Sequence, residues 1–279
     1  MKLTHKNLLS SAYTIMRKVP LTREDSTISY LPYPHSFEQV ITFYACVIGM
    51  RIGYYQGKPE KLTDDCALLQ PSLFPSVPRL FNKIYSKIKG SFDTLTGCKG
   101  WLANKGLNAK LHYNRIDASV THGCYDKLIF KKIAALLGGR VQFMITGSAP
   151  IDPAVLELLR VCLCTPFMEG YGLTETSGGA SCSWPEDPIM GHVGGPLPCV
   201  KWRLADVPEM AYLSTDKPFP RGELQMFGAS VTSGYYKRPD KTAEAFSEDG
   251  WLKTGDVAML YPNGSVKIID RSKNIFKLS

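Results

Sequence analysis

The stretch from Val141 to Gly172 constrains this chain more than any other. Val141 to Thr146 is a short apolar run of strand length, and Asp152-Pro153 supplies an N-cap and a first-turn proline for a helix through Leu163. A second short strand is expected around Pro166 to Glu169. Two neighbouring strands joined by a helix run parallel, with a right-handed crossover. Both strand exits, Gly147-Ser148-Ala149-Pro150 and Gly170-Tyr171-Gly172, therefore fall on one edge of the sheet, the carboxyl edge where open α/β sheets bind ligands. The expected class is α/β, with mixed or parallel sheets flanked by helices.

The flanking sequence adds elements of both periods. Leu31-Pro32-Tyr33-Pro34-His35 is a rigid loop, after which Ser36 and Gln39 fit a capping box opening an apolar helix. Pro78 suits the first turn of a second helix carrying Leu80, Ile84 and Ile88. Residues 89 to 124 are Gly-rich, basic and irregular, and are expected to leave the core. Leu128, Ile129, Ile133, Leu136 and Leu137 then recur at helical spacing up to Gly138-Gly139. After Ser181 short strands dominate, such as Gly222 to Phe227, which implies a smaller antiparallel β subdomain. Its clearest element is a hairpin in which Trp251 to Tyr261 and Val266 to Asp270 flank Pro262-Asn263-Gly264-Ser265. With Asn263 and Gly264 as the central pair of a two-residue turn, Asp256 falls opposite Arg271.

At 279 residues and 44% apolar content the chain can bury a sizeable core. Its longest apolar run, Val40 to Met50, is interrupted by Thr42 and falls short of the roughly 20 residues of a bilayer-spanning helix. No secretory signal follows the basic start Met1 to Lys6. The eight cysteines lack the spacing of zinc or redox motifs and read as reduced, mostly buried thiols of an intracellular protein. The formal charge of +8 is uneven: residues 79 to 132 hold eleven Lys or Arg against Asp93, Asp117 and Asp126, the whole of the excess. Such a window faces nucleic acid, an anionic membrane or a polyphosphate, or is simply a solvated helical face. No zinc-finger, KH, RRM or helix-turn-helix pattern accompanies it, so nucleic acid is not an expected partner.

The segment Thr165 to Gly179 carries the candidate chemistry. Its glycines expose backbone N–H groups, Thr174 and Thr176 offer hydroxyl donors to phosphate oxygens, and Glu175 supplies a hard oxygen ligand suited to Mg²⁺. As bare composition the same residues also describe a turn with a helix cap.

Their order along the chain adds a resemblance. Thr146-Gly147-Ser148-Ala149-Pro150, Glu169 to Thr176, Gly250-Trp251-Leu252-Lys253-Thr254-Gly255-Asp256 and Ile269 to Lys277 resemble successive core motifs of the acyl- and aryl-adenylating enzymes. Tyr30-Leu31-Pro32 with His35, Val77-Pro78-Arg79-Leu80-Phe81, Leu137 to Val141, Val207-Pro208-Glu209-Met210 and Ile268 to Arg271 narrow it to eukaryotic long-chain acyl-CoA synthetases, along essentially the whole chain. The resemblance implies a fatty acid carboxylate attacking the α-phosphorus of ATP to give acyl-adenylate and pyrophosphate, followed by displacement of AMP by the thiol of CoA.

Residue by residue, it implies that Gly147, Ser148 and Ala149 flank the adenine together with Gly170, Tyr171 and Gly172. Thr174 would contact the α-phosphate, Glu175 would hold Mg²⁺, and Thr174 and Glu175 would form the catalytic pair. Asp256 would bind the ribose hydroxyls, with Arg271 near ribose and phosphates. Lys273 falls at the family's hinge, where Ser272 departs from the usual lysine, and His35 falls near the reacting carboxylate. Helices near 36 to 50 and 78 to 88 would wall an acyl tunnel.

The same resemblance divides the chain into an α/β part of the AMP-binding domain (1–180), a β-rich subdomain (181–270) and the start of a hinge (271–279). The family's pyrophosphate loop is expected just before Lys2 to Asn7, and its C-terminal domain after Ser279. The isolated chain is accordingly expected to show little or no ligase activity. Expected partners are a long-chain fatty acid, ATP and CoA, with peripheral association at the cytoplasmic face of a membrane such as endoplasmic reticulum or peroxisome. Two other readings stand beside this one: an enzyme adenylating a different carboxylic acid, and a non-catalytic nucleotide- or acyl-binding derivative.

Overall fold

The computed structural model describes residues 1–271. The chain runs through α1 (His5–Met16), β1 (Ser26–Ser29), α2 (Ser36–Ile48), β2 (Arg51–Tyr54), α3 (Leu62–Leu69), β3 (Leu73–Ser76), α4 (Pro78–Asp93) and α5 (Gly97–Asp117). A broken helix follows, made of α6 (Gly123–Tyr125), a π turn over Asp126–Phe130, α7 (Lys131–Ala134) and a 3-10 turn over Ala135–Leu137. Then come β4 (Phe143–Thr146), α8 (Pro153–Cys162), β5 (Phe167–Tyr171), β6 (Ser181–Cys182), β7 (Gly195–Pro196), β8 (Val200–Ala205), β9 (Arg221–Gly228), α9 (Pro239–Ala245), β10 (Leu252–Leu260) and β11 (Val266–Arg271).

The strands form two sheets. In the first, ordered β2-β1-β3-β4-β5-β6-β7, the pairs from β2 through β5 are parallel, and β6 and β7 extend it antiparallel. The second is antiparallel throughout, ordered β11-β10-β9-β8. Side chains alternate across a strand, and here both faces of the first sheet are covered. Leu73, Ile145 and Met168 join α1, α2 and the second sheet in one core, while Phe74, Met144 and Phe167 join α3, α4, α5 and α8 in the other. This two-sided burial makes β3 to β5 continuous apolar runs in the sequence.

Three local expectations change. Helix α2 is capped by His35, one residue earlier than expected, because Nδ1 of His35 accepts from the Phe37 N–H at 3.2 Å while Ser36 is already helical and buried. Residues 89 to 124 do not leave the core: α4 continues to Asp93 and α5 spans 21 residues. Helix α5 escapes hydrophobic patterning because its buried stripe is Gly100, Ala103, Gly106, Lys110 and Asn114, small or polar residues at helical spacing. Lys110 is tolerated there because its Nζ lies 2.5 Å from Asp126 Oδ1 and 4.4 Å from the Phe130 ring centroid. All eight cysteines are free, and four are buried.

The hairpin reaches the expected pairing by another route. Leu260 pairs with Val266 and Tyr261 N–H with the Ser265 carbonyl, so the connection is three residues long, with Gly264 at φ +80. That register is one residue off the expected one. A bulge between Val257 and Ala258 absorbs the difference, leaving Ile269 without an opposite residue and restoring Asp256 opposite Arg271.

Candidate functional site

Because β4 and β5 are parallel, the Gly147 and Gly170 loops leave the sheet side by side, with Thr146 paired to Glu169 in register. The chain after β5 then turns back on itself. A Cβ on Gly172 would lie 2.4 Å from the Gly178 carbonyl oxygen, so only glycine fits that crossing. Thr176 closes the turn: its buried hydroxyl accepts from the Leu173 N–H at 2.9 Å and donates to the Leu173 carbonyl at 3.1 Å. This corrects the expectation that Thr176 faces phosphate. Thr174 is exposed beside it.

Glu175 is half-buried, and its Oε1 accepts from the Tyr235 hydroxyl at 2.6 Å. Burial first, and the Glu175 carboxylate second, push the Tyr235 phenol up to about 12. The Thr232 N–H bonds the Glu175 carbonyl at 2.8 Å, which ties this loop to the segment after β9.

Strand β10 brings Asp256 to the Gly170 loop. Its carboxylate is 3% exposed and accepts from the Tyr171 hydroxyl at 2.5 Å on Oδ2 and from Arg271 Nε at 2.9 Å on Oδ1. Burial, followed by the charge of Asp256, raises the Tyr171 phenol well above its usual range, so Tyr171 stays a donor. The Arg271 side chain is itself 63% exposed.

Gly147, Ser148, Ala149, Gly170, Tyr171, Gly172, Asp256 and Arg271 all line one cleft of about 540 Å³. Glu175 lines a second cleft of about 660 Å³ with Tyr235, Arg238 and Lys253, and the two clefts meet at Leu173 and Arg271. His35 is elsewhere, in a third space of about 60 Å³ behind the Gly147 and Gly170 loops. Ile15 of α1 and Phe37, Val40 and Ile41 of α2 wall it, so of the two helices expected around an acyl chain α2 alone lines this space. Helix α4 packs in the opposite core. Lys273 lies outside the described residues.

Two features of the main cleft escaped the sequence. Glu169 lines it, buried, with Oε1 accepting the Gly191 N–H at 2.7 Å. Burial pushes its carboxyl up to about 7, against smaller opposing effects of the Gly191 bond and Lys267. An acidic residue ending the run Phe167-Met168 was the available signal. The second is the loop from Trp184 to Gly191. Arg160, fully buried on α8, donates to the carbonyls of Asp187, at 2.6 Å, and Pro185. Asp187 Oδ2 in turn lies 3.1 Å from Nε2 of His192, a buried lining residue of the cleft. The only trace of this strap in the sequence is an arginine on the apolar face of a helix.

A buried carboxylate with free lone pairs, bracketed by glycine loops and an exposed guanidinium, is suited to hydroxyl groups beside an anion. The comparisons agree in kind. The model of the AMP-binding enzyme family matches residues 1–236. Fatty acyl-CoA synthetase A of Dictyostelium discoideum is 44% identical over 278 residues, which is 99% of this chain and 41% of that protein. Long chain acyl-CoA synthetase 6, peroxisomal, of Arabidopsis thaliana is 44% identical over 277 residues, 99% of this chain and 39% of its own length. The chain thus spans about two fifths of these relatives. Among solved structures, the A domain of carboxylic acid reductase from Segniliparus rugosus, in complex with AMP and a co-purified carboxylic acid, superposes with TM-score 0.66 and 28% identity. It covers 90% of this chain and 35% of that one.

Proposed function

The chain belongs to the AMP-binding enzyme family, and from that premise we propose that it holds the adenylate during long-chain fatty acid activation, in which ATP, acid and CoA give acyl-CoA, AMP and pyrophosphate through acyl-adenylate. The observation that carries this reading is the convergence of the Gly147 and Gly170 loops, Asp256 and Arg271 on one cleft. The purine lies between the two glycine loops. Asp256 accepts the ribose hydroxyls on the lone pairs left by Tyr171 and Arg271, and those two donors hold its carboxylate in place beforehand.

The reaction brings an anionic carboxylate to an anionic phosphate, so its chief requirement is charge neutralisation. Arg271, at the junction of the two clefts, and the Thr174 hydroxyl are the chain's own donors to the α-phosphate. Glu175 fits Mg²⁺, which commonly takes one or two carboxylates and completes its shell with phosphate and water. Among the described residues no group of three or more ligating side chains offers a protein-only cage. When bound there, Mg²⁺ would neutralise phosphate charge. Tyr235 orients the Glu175 carboxylate for that role.

His35, whose Nδ1 is occupied as the cap of α2, stands beside the small space where the acid meets the adenylate. That space is only about 60 Å³, so a long acyl chain enters it by parting α1 and α2. CoA then takes the acyl group. In this reading residues 1–180 form the α/β part, 181–270 the β-rich part and 271–279, with Lys273, a hinge. The protein is intracellular and works peripherally at a membrane, where its apolar substrate resides.

The test uses non-hydrolysable acyl-adenylate analogues of increasing acyl length, titrated into the chain by calorimetry. Affinity rising with acyl length supports the long-chain reading. Equal affinity for acetyl and hexadecanoyl analogues overturns the substrate class while leaving the nucleotide site standing.

A further inference from the structure

The helices of the second core carry a surface that the adenylate site does not use. Within residues 79 to 132 Lys110 and Asp126 are buried partners, which leaves ten exposed cations against only Asp93 and Asp117. Arg115 is paired with Glu157 of α8; the other nine are in no ion pair among the described residues. Apolar side chains stand out among these charges at the turn between α4 and α5, where Leu95 is 39% and Trp101 63% exposed. The turn is tight. A Cβ on Gly100 would lie 2.4 Å from the Leu95 carbonyl oxygen, so the backbone entering α5 rests on Leu95 and presents Trp101 immediately after it.

Lysines flank this apolar tip. Lys105, one helical turn beyond Trp101, places Nζ 4.8 Å from the indole centroid, and Lys89, in the last turns of α4, places Nζ 5.7 Å from the Tyr85 ring. Lys99 lies in the first turn of α5 and Lys87 within α4, both exposed. An open indole and leucine bordered by ammonium groups match the interfacial layer of a bilayer, where aromatic rings sit at headgroup depth and lysines meet lipid phosphates. A nucleic-acid surface would share the cations and the indole but has no use for an exposed aliphatic tip, and the aliphatic theme recurs at Ile116 near the other end of α5, 63% exposed. No described helix is long and apolar enough to cross a membrane, so contact here is contact with a surface.

We propose that the α4–α5 turn docks on an anionic bilayer, with Leu95 and Trp101 entering the headgroup layer and Lys87, Lys89, Lys99 and Lys105 meeting lipid phosphates. The proposal deepens, and rests on, the reading that the acid is drawn from a membrane, and it names the surface that approaches it.

The test is co-sedimentation of the chain with phosphatidylcholine vesicles with and without phosphatidylserine, at low and high salt, beside an adenylate-analogue titration of each variant. Binding is expected only with phosphatidylserine and at low salt. Each lysine near an anionic surface contributes about fivefold in partitioning, so the double variant Lys99→Glu, Lys105→Glu lowers it by about 25-fold or more. Leu95→Ser with Trp101→Ser lowers it while leaving the cation count untouched. All these variants retain adenylate-analogue affinity, so loss of that affinity in the parent chain would sink the nucleotide reading and not this one. The docking proposal is overturned by absence of phosphatidylserine-dependent binding, by binding that ignores Leu95 and Trp101, by tighter salt-sensitive binding to duplex DNA or RNA, or by self-association through this turn in sedimentation velocity.

Discussion

Replacing Glu169 by glutamine should make the protein more stable in mild alkali and flatten its pH response. The carboxyl titrates at 4.5 in a solvated chain and at about 7 when folded, chiefly because burial disfavours its charge. The folded state therefore binds more protons than the unfolded one between those limits. Stability from this group is fully present below the unfolded value and is lost as pH rises through the folded one. Over that interval the loss amounts to roughly 3 kcal/mol. Glutamine copies the shape of the neutral acid and keeps an oxygen for the Gly191 N–H. Urea unfolding of both proteins at about pH 4 and about pH 8, with m-values checked for equality, reads the difference. The variant and parent should nearly coincide at the lower pH, and the variant should be the more stable at the higher. Parallel pH curves would show that Glu169 is solvated or compensated, and that the burial argument is wrong.

Arg160→Met keeps the aliphatic stem but leaves the carbonyls of Pro185 and Asp187 without their donor. It should cost about 3 kcal/mol and speed amide exchange in residues 184 to 191; unchanged exchange there would remove Arg160 as the strap. Tyr171→Phe deletes the hydroxyl that holds Asp256 Oδ2. AMP affinity should fall by about tenfold, one charge-assisted bond's worth of pre-positioning, and unchanged affinity would show that Arg271 alone positions the carboxylate. Asp152→Ala removes the cap oxygen that accepts from Ala154 N–H, and should lower stability by about 1 kcal/mol without changing nucleotide affinity.

What could be read in advance follows from how each element is stabilised. The β4-α8-β5 unit was legible because local chemistry marks it: Asp152 caps, Pro153 starts the helix, and glycines end both strands. The Asp256–Arg271 pairing was legible only through two compensating details, a three-residue turn and a bulge at Ile269, which a simple count does not contain. Helix α5 was illegible because the residues it buries are Gly100, Gly106, Lys110 and Asn114, and the stability of a buried lysine depends on Asp126, which belongs to a different helix. In the cleft, residues acting through backbone contact or a short motif were found. Glu169 and the Arg160 strap were not, since their roles arise from contacts between residues 22 to 27 apart in sequence, and His192 was not, since its partner Asp187 is placed by that strap.

The central claim is that the cleft between the two glycine loops binds adenylate through Asp256. Calorimetric titration of AMP into the chain and into Asp256→Ala tests it most directly. Losing acceptors for two ribose hydroxyls costs roughly 3 kcal/mol, or about 100-fold in Kd, and the weakened binding should persist when Arg271→Ala is added. Saturable binding to the parent with that loss in the variant is the predicted result. Equal Kd values for parent and variant, or no saturable binding to the folded parent, would contradict the account.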